Sequence, residues 1–160
     1  MISLDFLEGV EVFEGLDDDQ LTAVQSCCQE AVYRRGDKIF GVKEDPKYLY
    51  GVMEGEVDLR QDWLRGSPSQ EDTISTLSKK MIFGWSSLVP PYEYRLSAHC
   101  VTRQCRVLKI DSKCLRGLFE NDSRLGYMVM SKIVSIVGSR FFQLREEIIR
   151  HRGQEIINRW

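Results

Sequence analysis

A chain of 160 residues that is 42% hydrophobic and 29% charged, with a formal net charge of −2, suits one globular domain around one core and excludes a disordered or fibrous protein. The near-neutral balance supplies no broad field for holding nucleic acid or an acidic membrane surface. The five cysteines are odd in number and no basic-then-apolar segment follows Met1, so the expectation is a cytoplasmic protein.

No Lys or Arg precedes Arg34, and Asp5, Glu8, Glu11 and Glu14 make the first segment acidic. Asp17, Asp18 and Asp19 then supply an N-cap and first-turn carboxylates, and Leu21, Val24 and Cys28 recur at helical spacing. They predict an amphipathic helix to about Cys28, lying as a lid on a barrel. From Ala31 the pattern changes to short apolar pairs between turn signals: Val32 and Tyr33, Ile39 and Phe40, residues 48–53, and residues 57–59. Close, regular strands of this kind indicate an all-β roll or barrel.

Gly66, Ser67, Pro68 and Ser69 with the polar residues 70–72 read as an exposed hairpin tip, after which residues 73–77 resume a strand. Phe83 and Gly84 open a compact connection that ends near Pro90 and Pro91, and residues 95–101 and 105–110 read as the last two strands. Residues 1–111 thus form N-terminal helices and a β-roll, and residues 112–160 form C-terminal helices and a tail of the same domain.

The last helix carries the clearest period. Tyr127, Met130, Val134, Val137, Phe141, Leu144 and Ile148 follow alternating steps of three and four, a heptad seam. A second stripe, Leu125, Val129, Ile133 and Ile136, can pack on the barrel. Two stripes ask for two surfaces, which favours a parallel two-helix homodimer over a purely intramolecular packing. The apolar runs are broken by Ser and end at Gly138, so the expectation is that none spans a bilayer. Gly153 is expected to interrupt the helix, and Ile156, Ile157 and Trp160 beyond it to dock on the partner subunit rather than stay in water.

The order of elements resembles the sensor domain of the cyclic nucleotide-binding superfamily, of the Crp/Fnr type. The opening residues 13–16, the turn around Gly36, the central hairpin of residues 49–57 and the exit at residues 108–111 carry the resemblance. It implies a mainly β fold with flanking helices: a double-stranded β-helix, or jelly-roll-like β-roll, with N-terminal helices and a long C-terminal dimerisation helix.

The resemblance places a phosphate-binding cassette at residues 83–98. There Phe83 and Gly84 precede a short helix of Trp85, Ser86, Ser87 and Leu88, whose amides and hydroxyls would face an anion. Arg95, Leu96, Ser97 and Ala98 follow on a strand. Two positions depart from the family. Trp85 stands where nucleotide-binding members carry a Glu that accepts from the ribose hydroxyl, and indole only donates. The loss costs about 1–3 kcal/mol, or roughly 10- to 100-fold in affinity, so cyclic AMP or cyclic GMP is disfavoured. Arg95 is one residue too far from Ser97 and Ala98; strict alternation would turn it outward and put Leu96 in its place, whereas a bulge near Tyr92 to Tyr94 would keep it facing in.

Other chemistries fit less well. A cupin-like metalloenzyme needs converging histidines, and the chain has only His99 and His151, the latter on the terminal helix. No cysteine before Cys27 could hold an iron–sulfur cluster, and Cys27, Cys28, Cys100, Cys105 and Cys114 lack C-x-x-C spacing and are expected to act as small buried hydrophobes. The DNA-binding relatives append a helix-turn-helix module after the long helix; residues 154–160 are expected to be too few for one, and no direct DNA binding is expected. The expectation is a non-enzymatic sensor that binds a small anionic or nucleotide-like ligand and signals through its terminal helix. The alternative is a ligand-free dimeric interaction module.

Overall fold

The computed structural model describes residues 1–62 and 68–159. Two short helices open the chain. Helix α1 (Leu4–Glu8) is capped by Ser3, whose Oγ accepts from the Phe6 amide. Helix α2 (Asp18–Gln25) begins with a reciprocal cap: Asp17 Oδ1 accepts from the Gln20 amide at 2.8 Å, and Gln20 Oε1 accepts from the Asp17 amide at 3.1 Å. The helix stops before the predicted Cys28, because Ser26 turns its hydroxyl back on the Ala23 carbonyl at 2.6 Å and Cys28 already pairs with Ile110 in a sheet.

Eight strands follow: β1 (Cys28–Arg34), β2 (Lys38–Phe40), β3 (Tyr48–Glu54), β4 (Val57–Arg60), β5 (Thr73–Leu77), β6 (Ile82–Phe83), β7 (Ser97–Cys100) and β8 (Gln104–Asp111). They make two four-stranded antiparallel sheets in the orders β1-β8-β3-β6 and β2-β7-β4-β5, which is the mainly β roll with flanking helices expected from the sequence. The turn between β3 and β4 needs Gly55, which sits at φ +83°, and any Cβ there would collide with the Gln104 carbonyl. Of the expected polar tip, Gly66 and Ser67 lie outside the described residues. Residues Gln70–Asp72 form one exposed turn of 3₁₀ helix capped by Ser69.

Strands β3 and β8 are walls shared by two cores, because their side chains alternate faces. Tyr50, Val52, Cys105 and Val107 point into the roll, where they join Phe40, Phe83, Leu77 and Ala98. Leu49, Leu108 and Ile110 point the other way and join Leu7, Phe13, Leu21 and Val24 under the helices. Single-domain composition therefore conceals two apolar clusters, one inside the roll and one between the roll and its helical cover.

Asp111 ends β8 and caps helix α3 (Ser112–Asn121) by accepting from the Cys114 amide at 2.8 Å. One residue later Asp122 caps helix α4 (Ser123–Asn158), accepting from Leu125 at 3.0 Å, while its second oxygen takes a bond from Gln20 of α2. Helix α4 runs 36 residues without a break. Gly153 does not interrupt it; a single glycine costs only about 1 kcal/mol in a helix interior, too little to stop so long a run. Its Leu125, Val129 and Ile133 seal the helical core as predicted. By length and composition alone α4 would suffice to cross a bilayer, contrary to the sequence expectation, yet these three residues pack on the domain. Ile156 and Ile157 stand exposed on the same helix, and Trp160 lies outside the described residues.

The cysteines do more than fill the core. Cys27 is bonded to Cys114 with Cα atoms 5.6 Å apart, and Cys100 pairs with Cys105 across the β7–β8 turn. Among the described residues Cys28 alone is free. This corrects the expectation of unpaired buried thiols: residues 27 and 114 meet only because β1 lies against the end of β8.

Candidate functional site

Gly84 is where the cassette begins, and its backbone shows why no other residue serves. It adopts φ +73° and ψ +24°, and an added Cβ would lie 3.0 Å from the Tyr50 ring and 3.2 Å from the Tyr48 carbonyl. The turn beyond it, Trp85–Ser87, is a single 3₁₀ turn in which the amides of Ser87 and Leu88 are spent on the Gly84 and Trp85 carbonyls. So short a turn carries little of the dipole of a full helix. Ser87 Oγ is buried with no hydrogen-bond partner, and Leu88 belongs to the helical core.

On the strand side of the cassette Tyr94 is buried, Arg95 is exposed and Leu96 packs against the roll's core; β7 begins only at Ser97, and Ser97 and Ala98 are both buried. Arg95, 72% exposed, pairs only loosely with Glu93 at 3.8 Å. Its guanidinium is thus largely in water, while the residue still lines the hollow beside Leu96.

The interior that a ligand would enter is filled by aromatic rings. Phe40 stacks on Tyr94 with centroids 3.9 Å apart, and Phe83 stacks on Tyr50 at 5.0 Å; Phe40 also lies 5.5 Å from Tyr50. The Tyr94 hydroxyl donates to the Tyr48 carbonyl at 2.8 Å. Burial pushes both the Tyr50 and Tyr94 hydroxyls well above the ordinary phenol range, and for Tyr50 the neighbouring tyrosines add to it. These rings stay neutral and behave as packing. Sequence reasoning missed them as a group, although the paired aromatics at residues 48 and 50 and at 92 and 94 were the visible signal.

What remains of the hollow measures about 100 Å³ and is lined by Phe40, Leu59, Gly84, Trp85, Ser86, Tyr94, Arg95 and Leu96. That is well under the roughly 300 Å³ at which small-molecule pockets begin. Of the predicted cassette, Gly84, Trp85, Ser86, Arg95 and Leu96 thus come together here. Phe83, Ser87, Leu88, Ser97 and Ala98 serve elsewhere in the packing.

A larger cleft of about 290 Å³ lies on the other side of Trp85 and Leu96. Leu59 and Ile74 of the roll face Val137, Phe141 and Leu144 of α4 across it, and the charged groups on its walls are Arg140 and Glu147. Arg140 is held firmly: its Nη2 donates to the Ile82 carbonyl at 2.6 Å and lies 3.5 Å from Glu11, which itself accepts from the Ile82 amide at 2.8 Å. Burial draws the Arg140 pKa down and Glu11 opposes the shift; the guanidinium remains charged. Its Nη1 is buried and unpartnered.

On the outer face of the second sheet, Ser97 Oγ lies 2.9 Å from His99 Nε2. Burial, then Arg60 and Lys38, lower the His99 pKa. Nearby Asp58 accepts from Thr76 at 2.7 Å and Thr73 at 3.0 Å. His99 is thus a hydrogen-bonded wall residue. Among the described residues no group of three or more His, Cys, Asp or Glu side chains is placed to hold a metal ion.

The profile of the cyclic nucleotide-binding domain matches residues 30–122, more than half of the chain. The chain belongs to the cyclic nucleotide-binding domain family. A structure from Geobacter metallireducens GS-15, assigned to the cyclic nucleotide-binding proteins, is 30% identical and superposes with a TM-score of 0.76 over 88% of this chain and 99% of its own. A cyclic nucleotide-binding domain from Methylobacillus flagellatus KT shares the fold at 18% identity, with a TM-score of 0.74 over 91% of this chain and 80% of its own. The catabolite activator protein of Thermus thermophilus does so at 24% identity and a TM-score of 0.68, over 86% of this chain and 61% of its own. No curated protein sequence matches. Within this family member Gly84 opens the cassette turn, with Trp85 and Leu96 beside it in the hollow.

Proposed function

We propose that this cyclic nucleotide-binding-fold domain is a regulatory sensor that takes a small, largely apolar ligand in the cleft between Trp85, Leu96 and α4, and answers through α4 within a homodimer. One observation carries the reading: the walls of that cleft come at once from the cassette, the roll and the terminal helix, so an occupant touches sensor and output together. The anionic or nucleotide-like ligand suggested by the family finds poor support, because Arg95, though it borders the inner hollow, is 72% exposed, and that hollow measures only about 100 Å³. The exposed seam residues Tyr127, Val134, Phe141, Leu144 and Ile148 support the dimer.

The second reading is the ligand-free dimeric interaction module, favoured by the aromatic filling of the roll. A thermal-shift screen separates the two. A ligand at 100 times its Kd stabilises by about 2.7 kcal/mol, raising the midpoint of a domain this size by roughly 5–10 °C. Cyclic AMP and cyclic GMP are expected to give no shift. Small aromatic and aliphatic compounds are expected to include one that shifts the wild type and fails with Leu96→Glu. If no compound shifts the midpoint and native mass spectrometry shows no carried-over ligand, the second reading replaces the first.

A further inference from the structure

We propose that Cys27 and Cys114 form a reversible thiol–disulfide site whose oxidation state sets how firmly α3, and with it the root of α4, is held to the roll. The bond joins positions 87 residues apart in sequence, and it does so at a junction. Cys27 lies just before β1 and its carbonyl accepts from the Asp111 amide at 2.9 Å; Cys114 sits in the first turn of α3, where its amide donates to Asp111. One residue, Asp122, then separates α3 from α4. A covalent tie here spans the step at which the chain leaves the roll for its terminal helix.

The other cysteines do not share this role. Cys100 and Cys105 are five residues apart on either side of the short β7–β8 turn, so their link closes only a short local loop. Cys28 is turned toward the Val24 carbonyl, to which its Sγ donates at 3.2 Å, and burial pushes its thiol up to about 12. It is a poor competitor for exchange, since the thiolate is the reactive form.

Cys114 is half-buried and Cys27 is buried, which sets the order of events. With a low-molecular-weight disulfide as oxidant, the Cys114 thiolate attacks one sulfur, expels a thiolate that takes up a proton, and forms a mixed disulfide. The Cys27 thiolate then attacks the Cys114 sulfur and expels the second thiolate. Two protein thiols lose two protons and two electrons, and the small disulfide becomes two thiols. A reducing thiol runs the sequence backward.

The test equilibrates the full chain in glutathione buffers of graded oxidised-to-reduced ratio, traps free thiols by alkylation, and maps them by peptide mass spectrometry. The expected result is a Cys27–Cys114 linked peptide that appears and disappears across those ratios, with a melting midpoint roughly 5–15 °C higher when linked, as closure of a long loop requires. Hydrogen exchange of α3 and of residues 123–140 is expected to speed up on reduction while the strands change little. Replacing Cys100 and Cys105 by Ser should leave the response intact, and replacing Cys27 and Cys114 by Ser should abolish it. Alkylation of both Cys27 and Cys114 at every ratio overturns the proposal. So does a link that persists at every ratio, or one whose loss leaves α3 and α4 exchange unchanged. The wild-type readings decide even if the double variant fails to fold.

Discussion

The two halves of α4 present the same kinds of side chain to opposite surroundings. In the near half, Leu125, Val129 and Ile133 are buried against α1, α2 and the outer wall of the roll, and Arg140 closes the contact on the Ile82 carbonyl. In the far half, Phe141 is 63% exposed and Ile148 50% exposed, and Phe142 and Ile149 stand equally open. One stripe of the near half has found its apolar partner within the chain, while its heptad residues Tyr127 and Val134 stay exposed. That exposed heptad continues through the far half, which is the basis of the proposed homodimer.

Truncating the near half gives the largest effect. Leu125→Ala empties space in a closed core and is expected to cost about 2–5 kcal/mol, seen as a midpoint lower by roughly 5–15 °C in thermal or urea unfolding. A loss under 1 kcal/mol would mean that α4 is only lightly seated. The mirror substitution, Ile148→Glu, should leave unfolding of the dilute protein nearly unchanged while moving sedimentation velocity from dimer to monomer. If Ile148→Glu destabilised the isolated chain as much as Leu125→Ala, the contrast between the halves would fail.

Asp122→Ala removes the cap of α4 and the bond from Gln20 together, with an expected cost of about 1–2 kcal/mol. Its circular dichroism should show a frayed helix start rather than lost strands. The smallest effect concerns pH. His99 has a lowered pKa in the folded chain, so the unfolded state binds its proton first as pH falls below about 6.5. Its contribution is present above that point and declines on acidification. His99→Gln should therefore flatten the fall in stability between about pH 7 and pH 5.5, and identical slopes for variant and wild type would refute it.

Much of this architecture was legible in the residues. The short apolar runs at residues 48–53 and 105–110 announced strands, and the heptad from Tyr127 announced α4. The register count from Ser97 and Ala98 raised the question of which way Arg95 points. What stayed hidden depends on segments distant in sequence. Phe40, Tyr50, Phe83 and Tyr94 come from four separate stretches, and no local pattern says that their rings meet. The bond between Cys27 and Cys114 is set by how β1 lies on β8, and the bond from Arg140 to the Ile82 carbonyl joins positions 58 residues apart. Gly153 misled because its propensity was weighed alone, without the many turns on either side that carry it.

The length of α4 has a mechanical consequence. At a rise of 1.5 Å per residue its 36 residues span about 54 Å, and the portion beyond Arg140 projects about 27 Å from its last fastening. A tilt of about 10° at that fastening sweeps the tip through about 5 Å, roughly one helical pitch. If the proposed sensor answers through α4, Ile82 and Arg140 are the fulcrum of a lever, and a shift of a side chain's width near Trp85 becomes a displacement of about one turn of helix at the far end.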